Sequence, residues 1–164
     1  MSLWVPLYQG SPESVKSMIS TFFRAFPDGI IWSNDNQGTG YDLVLFGQLE
    51  PTLINIGELN SRFSREDYDQ VRESLAEIRF HSLEDLLTTY AGRAGDMKEW
   101  MAGSQTNTDR NMRLSYLSGL AANSYVQEDI FYEICKYYKF PAGLFSDTKD
   151  KLDTLDIRIQ AKMR

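Results

Sequence analysis

The sequence predicts an α+β domain in which one helix and an antiparallel hairpin are followed by a largely helical region. Three observations predict it. Apolar residues recur at helical spacing from Val15 to Phe26. Two short apolar runs then flank a stretch dense in turn formers. After Pro51 the periodicity is helical almost to the end of the chain.

Trp4 to Tyr8 is apolar but interrupted by Pro6, which cannot donate to a sheet ladder, so it reads as a strand exit or extended loop and not as a central strand. Gln9-Gly10 turns the chain. Ser11 suits a helix N-cap, Pro12 the first helical position and Glu13 the positive end of the helix dipole. Val15, Met18, Ile19, Phe22, Phe23 and Phe26 share one face, and Pro27-Asp28-Gly29 ends the helix. Gly29 to Ser33 is a short strand, Asn34 to Gly40 a turn, and Tyr41 to Gly47 a second strand. Seven linking residues are too few for a crossover, so the strands are antiparallel. The unbroken centre Leu43-Val44-Leu45-Phe46 predicts burial on both faces, with helices on each side of the sheet.

Beyond Pro51, Ile54, Ile56 and Leu59 mark a short piece. Ser64, with Asp67 in the capping-box position, is expected to cap a helix carrying Tyr68, Val71, Leu75 and Ile78. Ser82 repeats the device with Asp85 ahead of Leu83, Leu86, Leu87 and Tyr90. Ala91 to Gly95 reads as a loop, Asp96 to Met101 as a turn or two, and Leu114 to Leu117 as a short extended piece. A helix from Tyr125 ends at Pro141 and Gly143, and Asp147 to Arg164 forms a last helix with a thin apolar stripe.

Composition bounds the function. The chain has 164 residues, long enough to bury about two-thirds of its unfolded surface without a metal or disulfide staple. A net charge of −6 argues against nucleic acid or an anionic membrane as partner. No apolar run is long enough to span a bilayer, and no basic region precedes an apolar one at the N-terminus. Cys135 stands alone, which fits a reducing, cytoplasmic compartment. Met1 to Leu3 precede the periodic pattern and read equally as native residues or an expression leader.

Few residues suggest chemistry. No catalytic residue and no metal site is expected. His81 is the only histidine and falls at a helix entrance, where a surface or capping role suffices. Cys135 follows Ile134 on an apolar face and reads as a buried, inert thiol. Gly38 and Gly40 lie between two strands, so they belong to a hairpin and not to a phosphate loop. Two clusters remain. Trp4, Tyr8, Trp32 and Tyr41 come together if the first segment and the hairpin are sheet neighbours. With Asp42 beside them they are either packing residues or a wall for an amine. Asn107 to Asn111 is dense in hydrogen-bonding groups and reads as turns or as a functional loop.

Taken together, Trp4 to Tyr8, the helix from Ser11 to Asp28, the strands Ile30 to Trp32 and Tyr41 to Gly47, and Asn107 to Tyr116 resemble the C-terminal half of the spermidine synthase-like family, particularly its bacterial members fused to membrane segments. Those proteins show W-x-P-L-Y, a helix ending in F-x-x-x-F-P, a hairpin ending in Y-D-L-x-L-x-G, and a later N-T-D-[DR]-x-x-x-L-x-[FY]. The resemblance implies a Rossmann-like methyltransferase sheet completed by this helix and hairpin. Residues 4–117 would then be the C-terminal part of that domain and 118–164 a helical tail.

The family's reaction moves an aminopropyl group from decarboxylated S-adenosylmethionine to a polyamine such as putrescine, with a carboxylate taking the proton. Its nucleotide loop and catalytic aspartate precede the segment matched here. The resemblance therefore implies a fragment without the nucleotide-binding and catalytic half, inactive alone, with that half as its partner and the decarboxylated co-substrate bound there. Trp4, Tyr8, Trp32 and Tyr41 match positions bordering the amine pocket. Asn107, Thr108 and Asp109 match the later motif, for which no role is derived. A half-domain would leave Tyr41 to Gly47 with an unpaired apolar edge, at which two chains would pair, exchange a segment, or find the edge covered by the tail helices. The alternative function is a non-catalytic interaction domain built from the helices between Ile56 and Arg164.

Overall fold

A computed structural model describes residues 1–34, 41–121 and 124–163. In chain order the elements are β1 (Ser2–Pro6), α1 (Pro12–Ala25), β2 (Ile30–Asn34), β3 (Asp42–Phe46), β4 (Ile54–Asn55), α2 (Ile56–Phe63), a 3-10 turn (Glu66–Tyr68), α3 (Asp69–Glu77), α4 (Leu83–Leu87), β5 (Tyr90–Arg93), α5 (Arg113–Ala121), α6 (Gln127–Cys135), β6 (Phe145–Ser146) and α7 (Lys149–Lys162). The chain is α+β and divides into two compact units that interleave in sequence. One is built from Met1–Pro51 with Tyr90–Lys139, the other from Thr52–Thr89 with Phe140–Lys162. The expected boundary after Leu117 falls inside α5.

The first unit is organised around a four-stranded sheet in the order β1-β3-β2-β5, every neighbouring pair antiparallel. The β2–β3 hairpin matches its expected strands to within a residue at each end. Its turn, residues 35–40, lies outside the described residues, and with it the expected roles of Gly38 and Gly40. Two expectations for β3 are overturned. It has no free edge: β1 pairs along one side from Ser2↔Phe46 to Pro6↔Asp42, and β2 along the other from Ile30↔Phe46 to Asn34↔Asp42. The unpaired edge expected at Tyr41 to Gly47 is therefore not there, because both sides of the strand are bonded within the chain.

Nor is β3 buried on both faces. Leu43 and Leu45 are fully buried, whereas Val44 is half-buried and Phe46 is 49% exposed. Apolar side chains thus fill one face, and the other stays partly open.

On the buried face Leu43, Leu45, Ile31, Val5 and Leu7 join Val15, Ile19, Phe22 and Phe23 of α1 in one core. Each of the fully buried aliphatic side chains contributes about 1.5–3 kcal/mol relative to exposure. Ser11 caps α1 as expected. Its hydroxyl accepts from the Ser14 amide at 3.2 Å while the Ser14 hydroxyl accepts from the Ser11 amide at 2.9 Å, a reciprocal box completed by serine in place of glutamate. Beyond the helix, Phe26 lies against Gly47 so closely that a Cβ there would fall 2.3 Å from Phe26 Cγ. Only glycine permits that approach.

β5 takes in Tyr90, expected in the preceding helical stripe, and Ala91 to Arg93 of the expected loop. It pairs with β2 as Ile30↔Arg93, Ile31↔Gly92 and Trp32↔Tyr90, leaving Ala91 as an extra residue at a bulge. A four-residue strand with a glycine and a bulge shows no alternation in sequence, which hides it. Met97, Trp100, Ile130, Phe131 and Ile134 complete this unit's core. Leu114 to Leu117, expected as extended, lies within α5, whose Leu117 and Ala121 are buried.

In the second unit β4 pairs in parallel with β6. Asn55 caps α2, accepting from the Glu58 amide at 3.0 Å. Ser64 does not open a helix. It closes α2, donating its hydroxyl back to the Asn60 carbonyl at 2.9 Å, and the following 3-10 turn and α3 have no side-chain cap. The Ser82–Asp85 box does form at α4, with Leu83 and Leu87 buried. The helix stops there, so Tyr90 belongs to β5 and not to its stripe. Leu155 and Ile159 bury α7, and Arg158 reaches Asp85 at 2.6 Å.

Candidate functional site

The partly open face of the sheet carries the aromatic residues. Trp4 and Trp32 both stand opposite Val44, and Tyr90 stands opposite Trp32, so one row crosses all four strands. Side chains alternate between faces along a strand, which puts this row on the face opposite Leu43 and Leu45. The row opens towards β1: Trp4 is 52% exposed, Val44 and Trp32 are half-buried, and Tyr90 is buried. The next same-face row along the strands is Pro6, Asp42 and Asn34. The sheet thereby brings Asp42 diagonally next to Trp4.

Of the four expected aromatic residues, three form a connected cluster. Tyr8 stacks on Tyr41 with ring centroids 4.8 Å apart and an interplanar angle of 21°, and its other neighbour is Trp4 at 6.4 Å. Leu7, bonded through its amide to the Tyr41 carbonyl at 3.1 Å, fixes the entry of Tyr8 beside Tyr41. Trp32 shares the face but lies across Val44, with its ring edge-on to Tyr90 at 6.0 Å. Tyr90 was not expected here, and nothing in the sequence could have placed it while β5 was unrecognised.

Asp42 is the charged group at the centre of this arrangement. It is only 5% exposed, and the Asn34 side-chain amide donates to its Oδ2 at a long 3.5 Å. Among the described residues its Oδ1, which is buried, has no hydrogen-bond partner. An unpartnered buried acceptor costs about 1–3 kcal/mol, and more when charged. Nearby, partial burial, the Tyr41 phenol and the Asp42 carboxylate together hold the Tyr8 phenol above its ordinary pKa. Of these causes, the Asp42 carboxylate is the one that would favour a cation. An ammonium group donating to Oδ1 would satisfy the carboxylate, and the π-faces of Tyr8, Tyr41 and Trp4 would hold the rest of its charge.

The Asn107–Asp109 motif is elsewhere and is used structurally. The Asn107 amide donates to Thr21 Oγ1 of α1 at 2.7 Å, while its side-chain Oδ1 accepts from the Leu114 amide in the first turn of α5 at 2.9 Å. Thr108 and Asn111 bond reciprocally through side chain and backbone, and Ser17 donates to the Gln105 carbonyl at 2.7 Å. These are capping and Asx-type turns that tie the loop to α1. Asp109 is exposed. The His81 side chain is exposed, and its amide donates to Asp85 Oδ2. Cys135 is half-buried, less enclosed than expected.

Among the described residues no cluster of three or more His, Cys, Asp or Glu is placed to hold a metal, and no helix is long and apolar enough to cross a membrane. Comparison of the chain with protein-family models, with curated proteins and with solved structures returned no match.

Proposed function

We propose that this chain binds an organic amine at Asp42 and that it is the closing part of an aminopropyltransferase-like domain, supplying the amine-side wall of a site whose nucleotide-binding and catalytic half lies elsewhere. The observation that carries the amine reading is the buried, unpartnered Oδ1 of Asp42 beside the Trp4–Tyr8–Tyr41 cluster. The strand order supports the domain reading. β1 leads through α1 to β2, and β3 returns antiparallel into the gap between them. That is how a final helix and hairpin would complete a Rossmann-like methyltransferase sheet, and it makes the outer edge of β1 the place for the remaining strands.

The chain's own residues do not suit the decarboxylated S-adenosylmethionine of such an enzyme. The link from β1 to α1 carries Gly10 alone, without the three glycines that let a backbone approach a nucleotide. Its residues bind and orient: Asp42 anchors an ammonium, and the aromatic rings exclude water from it. Titration with putrescine and with methylthioadenosine, followed by tyrosine and tryptophan fluorescence, tests the proposal. Putrescine saturates with half-saturation near or below about 1 mM, Asp42→Asn weakens it at least about tenfold, and the nucleoside does not bind. Failure of putrescine overturns the amine reading, and saturable nucleoside binding overturns the division of labour.

A further inference from the structure

The Asp42 site also selects among amines, an inference that rests on the amine reading and not on the transferase half of it. Asp42 is almost fully buried, and its Oδ2 accepts from the Asn34 side-chain amide at 3.5 Å. Among the described residues Oδ1 is then the one acceptor of this carboxylate left without a donor. The aromatic surface beside it has two planes. Tyr8 and Tyr41 stack into one slab, with ring centroids 4.8 Å apart and an interplanar angle of 21°. Trp4 is inclined to Tyr8 at 54°, with centroids 6.4 Å apart, and both Trp4 and Tyr41 are half-exposed. We propose that the ligand is a tertiary ammonium, two N-methyl groups on an alkyl chain, which donates its single N–H to Asp42 Oδ1 and lays its methyls on the two ring planes.

The count of substituents on nitrogen carries the choice. One free acceptor satisfies one N–H. A primary ammonium brings three, and it is strongly hydrated; those of its N–H groups that meet rings give up water and gain only the field of the π-face. Methyl groups in their place remove that cost and bury apolar area on the rings. A third methyl goes too far, because it leaves Oδ1 buried beside a cation that cannot donate to it. Two ring planes and one acceptor therefore match two methyls and one N–H, with the fourth bond left for the chain. An ammonium held this way keeps its proton and is no nucleophile, so a reacting nitrogen would have to be a second one, further along that chain.

Calorimetric titration of the whole chain with butylamine, N,N-dimethylbutylamine, butyltrimethylammonium and putrescine tests this. The dimethyl form is expected to bind about tenfold tighter than butylamine and at least about threefold tighter than the trimethyl form. Trp4→Leu, at an exposed position, should remove most of the gain over butylamine, and Asp42→Asn should remove most of the loss at the third methyl. An acetylated and amidated dimethyl-lysine, titrated in parallel, separates two sources of the same group. Tighter binding than dimethylbutylamine assigns the ligand to a methylated protein side chain, weaker binding to a free amine, and both results uphold the proposal. Butylamine and putrescine binding without a gain for the dimethyl form, or a trimethyl form as tight as the dimethyl one, would overturn it and leave the amine reading standing. Saturation by none of these amines would overturn that reading, and this inference with it.

Discussion

Arg79 follows α3 with φ of 71°, a left-handed conformation that disfavours any side chain with a Cβ. The Phe80 amide bonds the Leu75 carbonyl and the Arg79 amide bonds the Ala76 carbonyl, the two reciprocal bonds of a Schellman ending in which this position is normally glycine. Arg79 is exposed, so its replacement removes strain without removing packing. Arg79→Gly is expected to stabilise the protein by about 1 kcal/mol, measured by urea unfolding. Tyr90 makes a second residue-scale prediction. Burial, reinforced by Asp96 and opposed by Arg93, pushes its phenol well above the ordinary value, and the Tyr8 phenol is raised too. Both groups hold their proton more tightly folded than unfolded. Their contribution to stability is complete below about pH 10 and is lost as pH rises through the folded-state values. Denaturation midpoints should therefore fall above pH 10, and phenolate absorbance from Tyr90 should appear only with unfolding. Asp42 entered the sequence reading only as a neighbour of the aromatic residues, because its burial comes from the sheet around it and not from its own segment.

At the scale of elements, legibility followed how much of the signal was local. α1 was read correctly because its cap, proline and apolar stripe lie in sequence order. α5 was misread as extended because its apolar residues lie on two faces and blur the helical period. The groups that cap it, Asn107 and Asn111, lie in a loop ahead of it. β5 was invisible because its strand character comes from pairing with β2 and from a bulge at Ala91, neither of which is a property of its own four residues. Ser64 misled because a serine that closes a helix through its Asn60 bond has the same letter as one that opens it. Asn107 separates structure from function at this scale. Asn107→Ala should cost about 1 kcal/mol in unfolding free energy, as lost caps do, and leave putrescine affinity unchanged. A loss of amine binding with stability intact would instead return the motif to the site.

Across the whole molecule, the sheet order decides what the aromatic residues can do. The central place of β3 sets Trp4 and Trp32 on opposite sides of Val44, with Asp42 one same-face pair away. The pairing that removed the expected dimer edge is the same pairing that assembled the candidate site. Of the sheet's two edge strands, β1 and β5, the one beside Trp4 is β1. There Ser2 and Trp4 turn their amides outward, because Leu3, Val5 and Leu7 occupy the bonded positions of the ladder that runs from Met1–Gly47 to Leu7–Tyr41, and Pro6 has no amide to offer. A strand added at this edge would therefore be held over Ser2 to Trp4 and released at Pro6.

The most direct test follows amide and indole resonances of the isotopically labelled chain during titration with putrescine. The account predicts saturable shifts concentrated at Trp4, Tyr8, Tyr41 and Asp42, which vanish in Asp42→Asn while the remaining spectrum is retained. Saturable shifts centred elsewhere, or the same shifts persisting in Asp42→Asn, would contradict it.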